Sequence, residues 1–133
     1  MLRKAEEADV PRIRELMRSV PGFWSSDWRH NALELALGSS TVLAYVWENE
    51  SQILGFVCAH DLGFRAYLNE LVVAEPCRMN GIGRSLVERV TSELNSRGCR
   101  VVISDVWKDA QGFYESMGWT KPDVVLLRKL TAE

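Results

Sequence analysis

The pattern of apolar and polar residues in the middle of the chain predicts a buried strand followed by a helix. Residues 66–73 (AYLNELVV) are apolar or β-branched on both faces and are interrupted only by Asn69 and Glu70. Such a run is typical of a strand inside a sheet that is covered on both sides. Pro76 predicts that the strand ends just before it, because proline cannot continue a central strand. The helix that follows ends near Gly98 and is predicted from four apolar residues at helical spacing, Leu86, Val87, Val90 and Leu94.

The same kind of pattern along the rest of the chain predicts a mixed α/β domain. Strands are expected at residues 2–4, 41–47, 52–60, 66–73, 100–106 and 124–129. Helices are expected up to about residue 18 after Asp9 as N-cap, at 27–37 after Ser26 as cap, after Gly83, and at 109–117. The strands at 41–47 and 52–60 read as a hairpin, and the strand–helix–strand passage from 66 to 106 reads as a right-handed parallel crossover.

Composition and charge favour a globular protein and argue against partners such as nucleic acid or a membrane. The chain has 133 residues, 47% of them hydrophobic and 26% charged, which fits one globular domain over residues 1–133. A net charge of −2 provides no basic field for nucleic acid. The apolar runs are too short to span a bilayer, and no signal peptide is evident, so no membrane association is expected. The three cysteines are odd in number and lack metal-ligand spacing, so we expect reduced thiols, no metal and a cytoplasmic location.

Two glycines directly before the central helix indicate a phosphate-binding loop. The first N–H groups of a helix have no partner inside it, and glycine lets further N–H groups converge and a bulky anion approach. Gly81 and Gly83 are placed in this way, and Arg78 and Arg84 add positive charge on either side. The alternative is a sharp strand-to-helix turn with surface arginines, and the glycines alone do not decide between the two.

Two common phosphate-binding motifs match the sequence poorly. A Walker loop needs Gly-Lys, which does not occur in the sequence. A dinucleotide fingerprint needs a third glycine where Leu86 stands, and its first glycine should follow the strand directly. Asp105 nevertheless lies at roughly the distance expected of a ribose-binding acid, so a dinucleotide-binding protein remains an alternative.

Two segments together resemble the GNAT superfamily of acyl-CoA-dependent N-acetyltransferases. The first is Arg78-Met79-Asn80-Gly81-Ile82-Gly83, an Arg-x-x-Gly-x-Gly loop that follows Leu71-Val72-Val73. The second is Phe113-Tyr114-Glu115-Ser116-Met117-Gly118-Trp119, which resembles the family's Phe-Tyr-x-x-x-Gly-aromatic segment. The resemblance implies a single-domain, mostly antiparallel sheet of about six to seven strands, with helices on both faces and a parallel crossover at the cofactor cleft.

The resemblance also implies a cofactor site for acetyl-CoA. The backbone donors from Met79 to Arg84 would hold the pyrophosphate, and the pantetheine arm would lie along Leu71 to Val73 like an added strand. A backbone N–H at Val72 or Val73 is the candidate donor to the oxyanion that forms during acyl transfer. The expected cofactor-binding residues are Leu71, Val72, Val73, Arg78, Met79, Asn80, Gly81, Ile82, Gly83 and Arg84.

Two side chains are the catalytic candidates. Tyr114 matches the family's general acid for the thiolate leaving group, although a core tyrosine on a short helix is an alternative. Glu70 lies beside the expected reaction centre, where burial would raise its pKa and suit it to remove a proton from the amine. Its alternative role is only to attract a cationic substrate.

The resemblance also concerns the acceptor region, and the sequence departs from the family pattern at one position. Phe23, Trp24 and Trp28 lie where the family's variable region covers the acceptor, so they either form the wall of a substrate pocket or belong to the core. Trp107 stands where family members often carry an asparagine that bonds the CoA arm.

The expected function is therefore transfer of an acetyl group from acetyl-CoA to a primary amine by direct attack in a ternary complex. The acceptor is a small molecule or a peptide, and neither a nucleic acid nor a membrane partner is expected. A homodimer is left open by the resemblance. The alternatives are a non-catalytic acyl-CoA-binding module and, less well supported, a dinucleotide-binding protein.

Overall fold

The computed structural model describes residues 1–132 and contains a five-stranded sheet with helices on both faces. The strands follow one another across the sheet as β1 Leu2–Lys4, β2 Val42–Asn49, β3 Gln52–Asp61, β4 Ala66–Val73 and β5 Val102–Ile103. Neighbours from β1 to β4 are antiparallel, and β4 and β5 are parallel. The helices are α1 Val10–Ser19, α2 Ala32–Leu37, α3 Ile82–Ser96 and α4 Gln111–Glu115. Short 3-10 turns lie at Glu7–Asp9, Glu75–Cys77 and Lys108–Ala110.

The sheet separates two hydrophobic cores. Side chains on one face pack against α1 and α2, and those on the other face pack against α3 and α4. The first core includes Ile13, Met17, Val46, Phe56, Cys58 and Val72. The second includes Val57, Leu68, Leu86, Val90, Leu94 and Tyr114. Because both faces are covered, the central strands are apolar on both faces, which is the pattern that the sequence shows at residues 66–73.

The position of α3 on the sheet depends on Gly55 in β3. A Cβ atom at Gly55 would lie 2.7 Å from Cγ2 of Ile82 and 2.9 Å from Cδ1 of Leu86. Real Cβ atoms do not approach other carbons so closely, so the glycine lets the first turn of α3 rest directly on β3. This contact fixes where the loop before α3 meets the edge of β4.

Several expectations are confirmed. The strand at residues 66–73 has the predicted bounds, and the parallel crossover through α3 is present. Gly98 follows the last turn of α3 with φ of +85°, the conformation expected of the residue that ends a helix. The hairpin between β2 and β3 is closed by Glu50 and Ser51, both with positive φ, as in the tightest hairpin turns.

The region before α2 was predicted wrongly. A helix was expected over residues 27–37 with Ser26 as its cap, but α2 spans only Ala32–Leu37. The hydroxyl of Ser25 accepts the N–H of Asp27, and the carbonyl of Ser25 accepts the N–H of Trp28, so the chain turns here instead of continuing as a helix. Asp9 does precede α1, but its carboxylate makes no cap bond to that helix. It accepts the N–H of Glu6 in the preceding 3-10 turn and binds Arg3 and Arg12.

The number of strands is also smaller than the six to seven expected. Residues 100–106 pair with β4 only at Val102 and Ile103, and residues 124–129 form no strand. The apolar composition of these segments indicates that they need burial, but it does not show whether a partner strand is within reach.

Candidate active site

A β-bulge in β4 directs two polar side chains to the same face of the sheet. Cys58 lies opposite Glu70 whereas its neighbour Ala59 lies opposite Leu68, so Asn69 is the extra residue. In a regular strand successive side chains point to opposite faces. Because the bulge interrupts this alternation, Asn69 and Glu70 both line one cavity on the α1 face.

Beyond the bulge, β4 and β5 diverge and leave the backbone of β4 unpaired on the side of β5. The two strands pair only at Ala66 and Tyr67 of β4. The N–H of Ala74 donates to the carbonyl of Leu54 at 2.8 Å. Since hydrogen-bonded pairs alternate along an antiparallel ladder, Val72 bonds β3, whereas the N–H and C=O groups of Leu71 and Val73 point into the opening. Of the three residues expected to contact a pantetheine arm, Leu71 and Val73 therefore have backbone N–H and C=O groups that are free to bond it.

The cavity on the α1 face, named here the α1-side cavity, has a volume of about 170 Å³. Its walls are mostly apolar and its polar groups come from β4. The lining residues are Met17, Trp24, Trp28, Ala32, Leu33, Ala36, Phe56, Cys58, Asn69 and Glu70. Burial, and then the charge of Asp105, raise the pKa of Glu70 to about 7. A carboxyl group with this pKa exists in both forms near neutral pH and can exchange a proton there.

Asn69 is the site residue that the sequence reasoning missed. Its Oδ1 atom is buried and has no hydrogen-bond partner among the described residues. A buried acceptor without a partner costs free energy unless a ligand or water satisfies it. The sequence does show Asn69 as a polar residue next to Glu70 inside an apolar strand. It does not show the bulge, which directs both side chains into one cavity.

The aromatic residues expected near the acceptor form one connected group. Trp24 and Trp28 line the cavity, with their ring centroids 5.3 Å apart. Phe23 lies behind them, 6.1 Å from Trp28 and 5.8 Å from Trp107. The guanidinium of Arg18 stacks on Trp24 with its carbon 4.7 Å from the ring centroid. Each tryptophan thus packs against other side chains in addition to lining the cavity.

A second cavity, the α4-side cavity, lies on the opposite face of the sheet and has a volume of about 240 Å³. It is lined by Ser104, Val106, Gln111, Tyr114, Glu115, Trp119, Thr120, Lys121 and Pro122. Tyr114 is buried between the rings of Phe113 and Trp119, with centroids 5.1 Å and 5.2 Å away. Burial, followed by the charge of Glu70, raises the pKa of Tyr114 to about 12, so its hydroxyl stays protonated throughout the ordinary pH range.

The loop before α3 has the backbone shape of an anion site. Met79 and Gly81 have φ of +72° and +80°, and Gly81 is the N-cap of α3. The first bond of the helix runs from the N–H of Ser85 to the carbonyl of Gly81, so the N–H groups of residues 82–84 have no partner within α3. Such consecutive N–H groups at a helix start bind phosphate well.

The glycines and arginines of the loop differ in what they contribute. Gly81 is needed for its positive φ, because an added Cβ would meet no atom within 4 Å. A Cβ at Gly83 would lie 3.3 Å from Cζ of Phe113, so this glycine brings α3 close to α4. Arg84 donates to the hydroxyl of Ser116 at 3.2 Å, while Arg78 is exposed beside the loop. Met79 and Asn80 are also exposed, which leaves their backbone accessible.

The match to known proteins identifies the family. The family model described as the acetyltransferase (GNAT) family matches residues 10–119, which is most of the chain and includes β4, the loop, α3 and Tyr114. This chain belongs to the GNAT family. It is therefore an acyltransferase, and the fold expected from the two motifs is confirmed apart from the number of strands.

Solved structures of other proteins share the fold at low sequence identity. A transcriptional regulator from Bacillus halodurans is 20% identical, with a TM-score of 0.81 and coverage of 98% of this chain and 99% of that chain. The ribosomal-protein-S18-alanine N-acetyltransferase of Escherichia coli is 21% identical, with a TM-score of 0.79 and coverage of 89% and 76%. The aminoglycoside N-acetyltransferase AAC(6')-Iy in complex with CoA is 16% identical, with a TM-score of 0.78 and coverage of 99% and 100%. No significantly similar sequence was found among curated proteins.

Asp105 has a local partner in this GNAT protein. The hydroxyl of Tyr67 donates to its carboxylate across the point where β4 and β5 begin to separate. This contact, together with the family assignment, removes the support for a dinucleotide-binding protein, which had assigned Asp105 to a ribose. Asp105 instead acts on the pKa of Glu70 through its charge.

Two further features concern the described residues as a whole. No group of histidine, cysteine or acidic side chains within residues 1–132 could hold a metal ion. No helix in this part of the chain combines the length and hydrophobicity needed to cross a bilayer.

Proposed function

We propose that this GNAT protein transfers an acetyl group from acetyl-CoA to a primary amine by direct attack within a ternary complex. The observation that carries the proposal is the divergence of β4 and β5, with Glu70 in a cavity on one face and Tyr114 in a cavity on the other. The donor and the acceptor can therefore reach the same opening from opposite sides. This arrangement favours catalysis over a non-catalytic CoA-binding module.

The described residues fit acetyl-CoA. The unpartnered N–H groups at the start of α3 and the positive φ of Met79 and Gly81 suit a pyrophosphate, and Arg78 adds a positive charge beside them. The free backbone groups of Leu71 and Val73 suit the amide-rich arm. When bound, the cofactor supplies an acetyl thioester. A structure of the same fold contains CoA, which supports this assignment.

Glu70 is the proposed general base. Alkyl amines have a pKa near about 10, so the amine enters mostly as an ammonium ion. Transfer of its proton to a group of pKa about 7 is uphill by about 3 units, or about 4 kcal/mol. Burial in the apolar α1-side cavity lowers the pKa of the amine and reduces this gap. The unpaired Oδ1 of Asn69 would accept a hydrogen bond from the same amine and orient it.

Tyr114 is the proposed hydrogen-bond donor to the departing sulfur. Its pKa of about 12 lies above that of an ordinary thiol, near about 8.5, so complete proton transfer to a thiolate is unfavourable. Donation of a hydrogen bond stabilises the charge that develops on sulfur without that cost. Val73, whose N–H points into the opening, is the proposed donor to the carbonyl oxygen.

The α1-side cavity favours an acceptor with one amine on an apolar or aromatic body. Apart from Asn69 and Glu70, the residues lining the cavity have apolar or aromatic side chains. The guanidinium of Arg18 lies over Trp24, and its positive charge disfavours a second cationic group on the substrate. An arylalkylamine therefore suits the site better than a polyamine or an aminoglycoside.

The test is a release assay for free CoA thiol with acetyl-CoA and a panel of amines. We expect turnover with 2-phenylethylamine and a lower kcat/KM with spermidine or kanamycin. Trp28→Ala should raise KM for the aromatic amine more than for methylamine, because the tryptophan contacts only the larger body. Binding of CoA without turnover of any amine would contradict the proposed transfer, and a preference for polyamines would contradict the acceptor class.

A further inference from the structure

The backbone pairing of β4 and β5 stops at one residue pair, and a side chain makes the next bond between the strands. The last backbone pair is Tyr67 with Ile103. In a continued parallel ladder, the N–H of Asp105 would donate to the carbonyl of Leu68. Within residues 1–132 the pairing ends one step earlier, and the hydroxyl of Ser104 donates to this carbonyl at 2.8 Å. Ser104 therefore joins the two strands at the point where they diverge.

The carbonyl that Ser104 binds belongs to the first peptide of the β-bulge. Leu68 lies opposite Ala59 and is the last residue of β4 before the extra residue, Asn69. The C=O of Leu68 and the N–H of Asn69 lie in one rigid peptide plane. A bond to this carbonyl therefore fixes the plane from which the bulge continues, and with it the directions of the Asn69 and Glu70 side chains.

The two polar side chains of the bulge depend on the backbone for their orientation. The Oδ1 atom of Asn69 is buried and has no hydrogen-bond partner among the described residues. The pKa of Glu70 is governed by burial and by the charge of Asp105, and no hydrogen bond within the described chain contributes to it. Since a bulge locally disrupts the ladder, the backbone at this point needs support from the side of β5 as well as from β3.

A second side-chain bond joins the strands on the opposite face of the sheet. Ala66 and Leu68 belong to the core under α3, and Ser104 lines the α4-side cavity on the same face. Tyr67 lies between them in β4 and points to the other face, where its hydroxyl donates to Asp105. The point of divergence is thus bonded on both faces. Of the two bonds, that of Ser104 ends on the backbone of the bulge.

We propose that Ser104 is a positioning residue for the acceptor side of the site, because its bond to Leu68 fixes the bulge and thereby directs Asn69 and Glu70 into the α1-side cavity. Ser104 itself lies in the wall of the α4-side cavity, so it acts on Glu70 through the backbone of β4. The effect on the bulge does not depend on the proposed function, whereas the effect on turnover rests on Glu70 as the proposed base.

The first test compares Ser104→Thr with Ser104→Val in steady-state kinetics. The two new side chains have the same shape, and only threonine keeps a hydroxyl that can donate to Leu68. Because misplacement of a catalytic group by about 1 Å can cost about a hundredfold in rate, we expect kcat to fall by about ten- to a hundredfold in Ser104→Val and to recover in Ser104→Thr. The affinity for CoA should change little in both, since the proposed phosphate loop is unaltered.

The matched control is Ser96→Ala at the end of α3. The Ser96 hydroxyl donates to the carbonyl of Glu93 at 2.7 Å, so this variant loses a bond of the same kind far along the helix from the phosphate loop. We expect its kcat to equal that of the unaltered chain. Equal kcat values in Ser104→Thr and Ser104→Val would overturn the positioning role.

A second measurement requires no turnover, and it follows the titration of the Glu70 carboxyl carbon by NMR. We expect a midpoint of about 7 in the unaltered chain and in Ser104→Thr. In Ser104→Val the midpoint should move towards the ordinary value of about 4.3, because a freed bulge lets the carboxylate turn towards water. The titratable groups that interact with Glu70 are Cys58 of β3, Asp105 after β5 and Tyr114 of α4, and they are the same in all three chains.

The two measurements separate this inference from the proposed function. If the unaltered chain acetylates no amine, the proposed function fails, and the titration alone decides the role of Ser104. Equal Glu70 midpoints in the threonine and valine variants would overturn the inference even if the unaltered chain is active.

Discussion

At the scale of single residues, the proposed chemistry depends most on Glu70. In the proposed mechanism its carboxylate form is the base, and its pKa is about 7, so the rate should rise with pH through that value. Glu70→Gln removes the base, and we expect kcat to fall by about 10²- to 10⁴-fold with loss of this limb of the pH profile. The measurement is kcat and kcat/KM against pH with one amine. A variant that keeps the rise near pH 7 would show that another group is the base.

The matched control for this substitution is Glu75→Gln. Glu75 is an exposed carboxylate just beyond β4, so the change has the same chemistry without the cavity. We expect its pH profile to match that of the unaltered chain. If both substitutions changed the pH profile in the same way, the cause would be the loss of one negative charge from the protein and not the loss of a base.

Tyr114 is the second residue whose role can be isolated. Tyr114→Phe removes only the hydroxyl, and the packing between Phe113 and Trp119 remains. We expect kcat to fall by about 10²-fold, the effect of losing one well-placed donor, while the affinity for CoA changes little. Steady-state kinetics and a CoA titration measure the two effects separately. Tyr45→Phe, at a partly buried tyrosine on the α3 side, is the control and should leave kcat unchanged. An unchanged kcat in Tyr114→Phe would remove the proposed donor role.

At the scale of elements, four charged side chains join the first strand, the first helix and the second strand. The buried carboxylate of Asp9 binds Arg3 at 2.8 Å and Arg12 at 2.7 Å. Glu48 of β2 binds the same two arginines, at 3.0 Å and 2.6 Å. Hydrogen bonds from Arg3, and to a lesser extent the backbone N–H of Glu6, lower the pKa of Asp9 to about 2. The network therefore ties β1, an edge strand of three residues, to the rest of the domain.

This network should make the stability of the domain depend on acid pH. The pKa of Asp9 is about 2 in the folded state and near about 3.9 in the unfolded state. Its contribution is therefore complete above about pH 4 and is lost as the pH falls from 4 towards 2. Asp9→Ala removes the buried carboxylate and leaves Glu48 as the remaining partner of Arg3 and Arg12. From the shift in the pKa of Asp9 we expect a loss of about 2 kcal/mol in the free energy of unfolding at pH 7 and a weaker pH dependence below 4.

Urea unfolding at pH 7 and at several acid values measures this prediction. Asp27→Ala, at an exposed aspartate in the loop before α2, is the control and should change stability by less than about 0.5 kcal/mol. If Asp9→Ala were as stable as the control, the ion pairs would contribute nothing to the fold.

The elements that the sequence predicted well are those whose signal is local. The bounds of β4 follow from an apolar run that only Asn69 and Glu70 interrupt and that ends before Pro76, and the end of α3 follows from Gly98. The bulge at Asn69 could not be predicted, because it is a mismatch in register between β3 and β4 and not a property of either strand alone. Residues 124–129 were expected to form a strand from their composition, yet a strand requires a pairing partner, and they pair with no other part of residues 1–132.

At the scale of the whole molecule, the two cavities lie on opposite faces of the sheet. The proposed cofactor loop and Tyr114 could be named from the sequence because each belongs to a local motif. The acceptor side depends on contacts between distant segments, such as Trp28 from the loop before α2 and Glu70 from β4. Asn69 was missed for this reason. The family therefore follows from the sequence, whereas the proposed acceptor class rests on the shape of the α1-side cavity.

The most direct test of the account is a calorimetric titration of the full chain with CoA and acetyl-CoA, with NAD as a negative control. Gly81→Val and Gly63→Val are titrated beside the unaltered chain. Both glycines have positive φ with no atom within 4 Å of an added Cβ, but only Gly81 lies in the proposed phosphate loop.

The account predicts CoA binding in the micromolar range, no response to NAD, and unchanged affinity in Gly63→Val. In Gly81→Val, loss of one or two hydrogen bonds to a charged phosphate should weaken binding by about a hundredfold, or about 3 kcal/mol. Absence of CoA binding to the unaltered chain, or equal binding by the two variants, would contradict the cofactor site on which the proposed acetyl transfer depends.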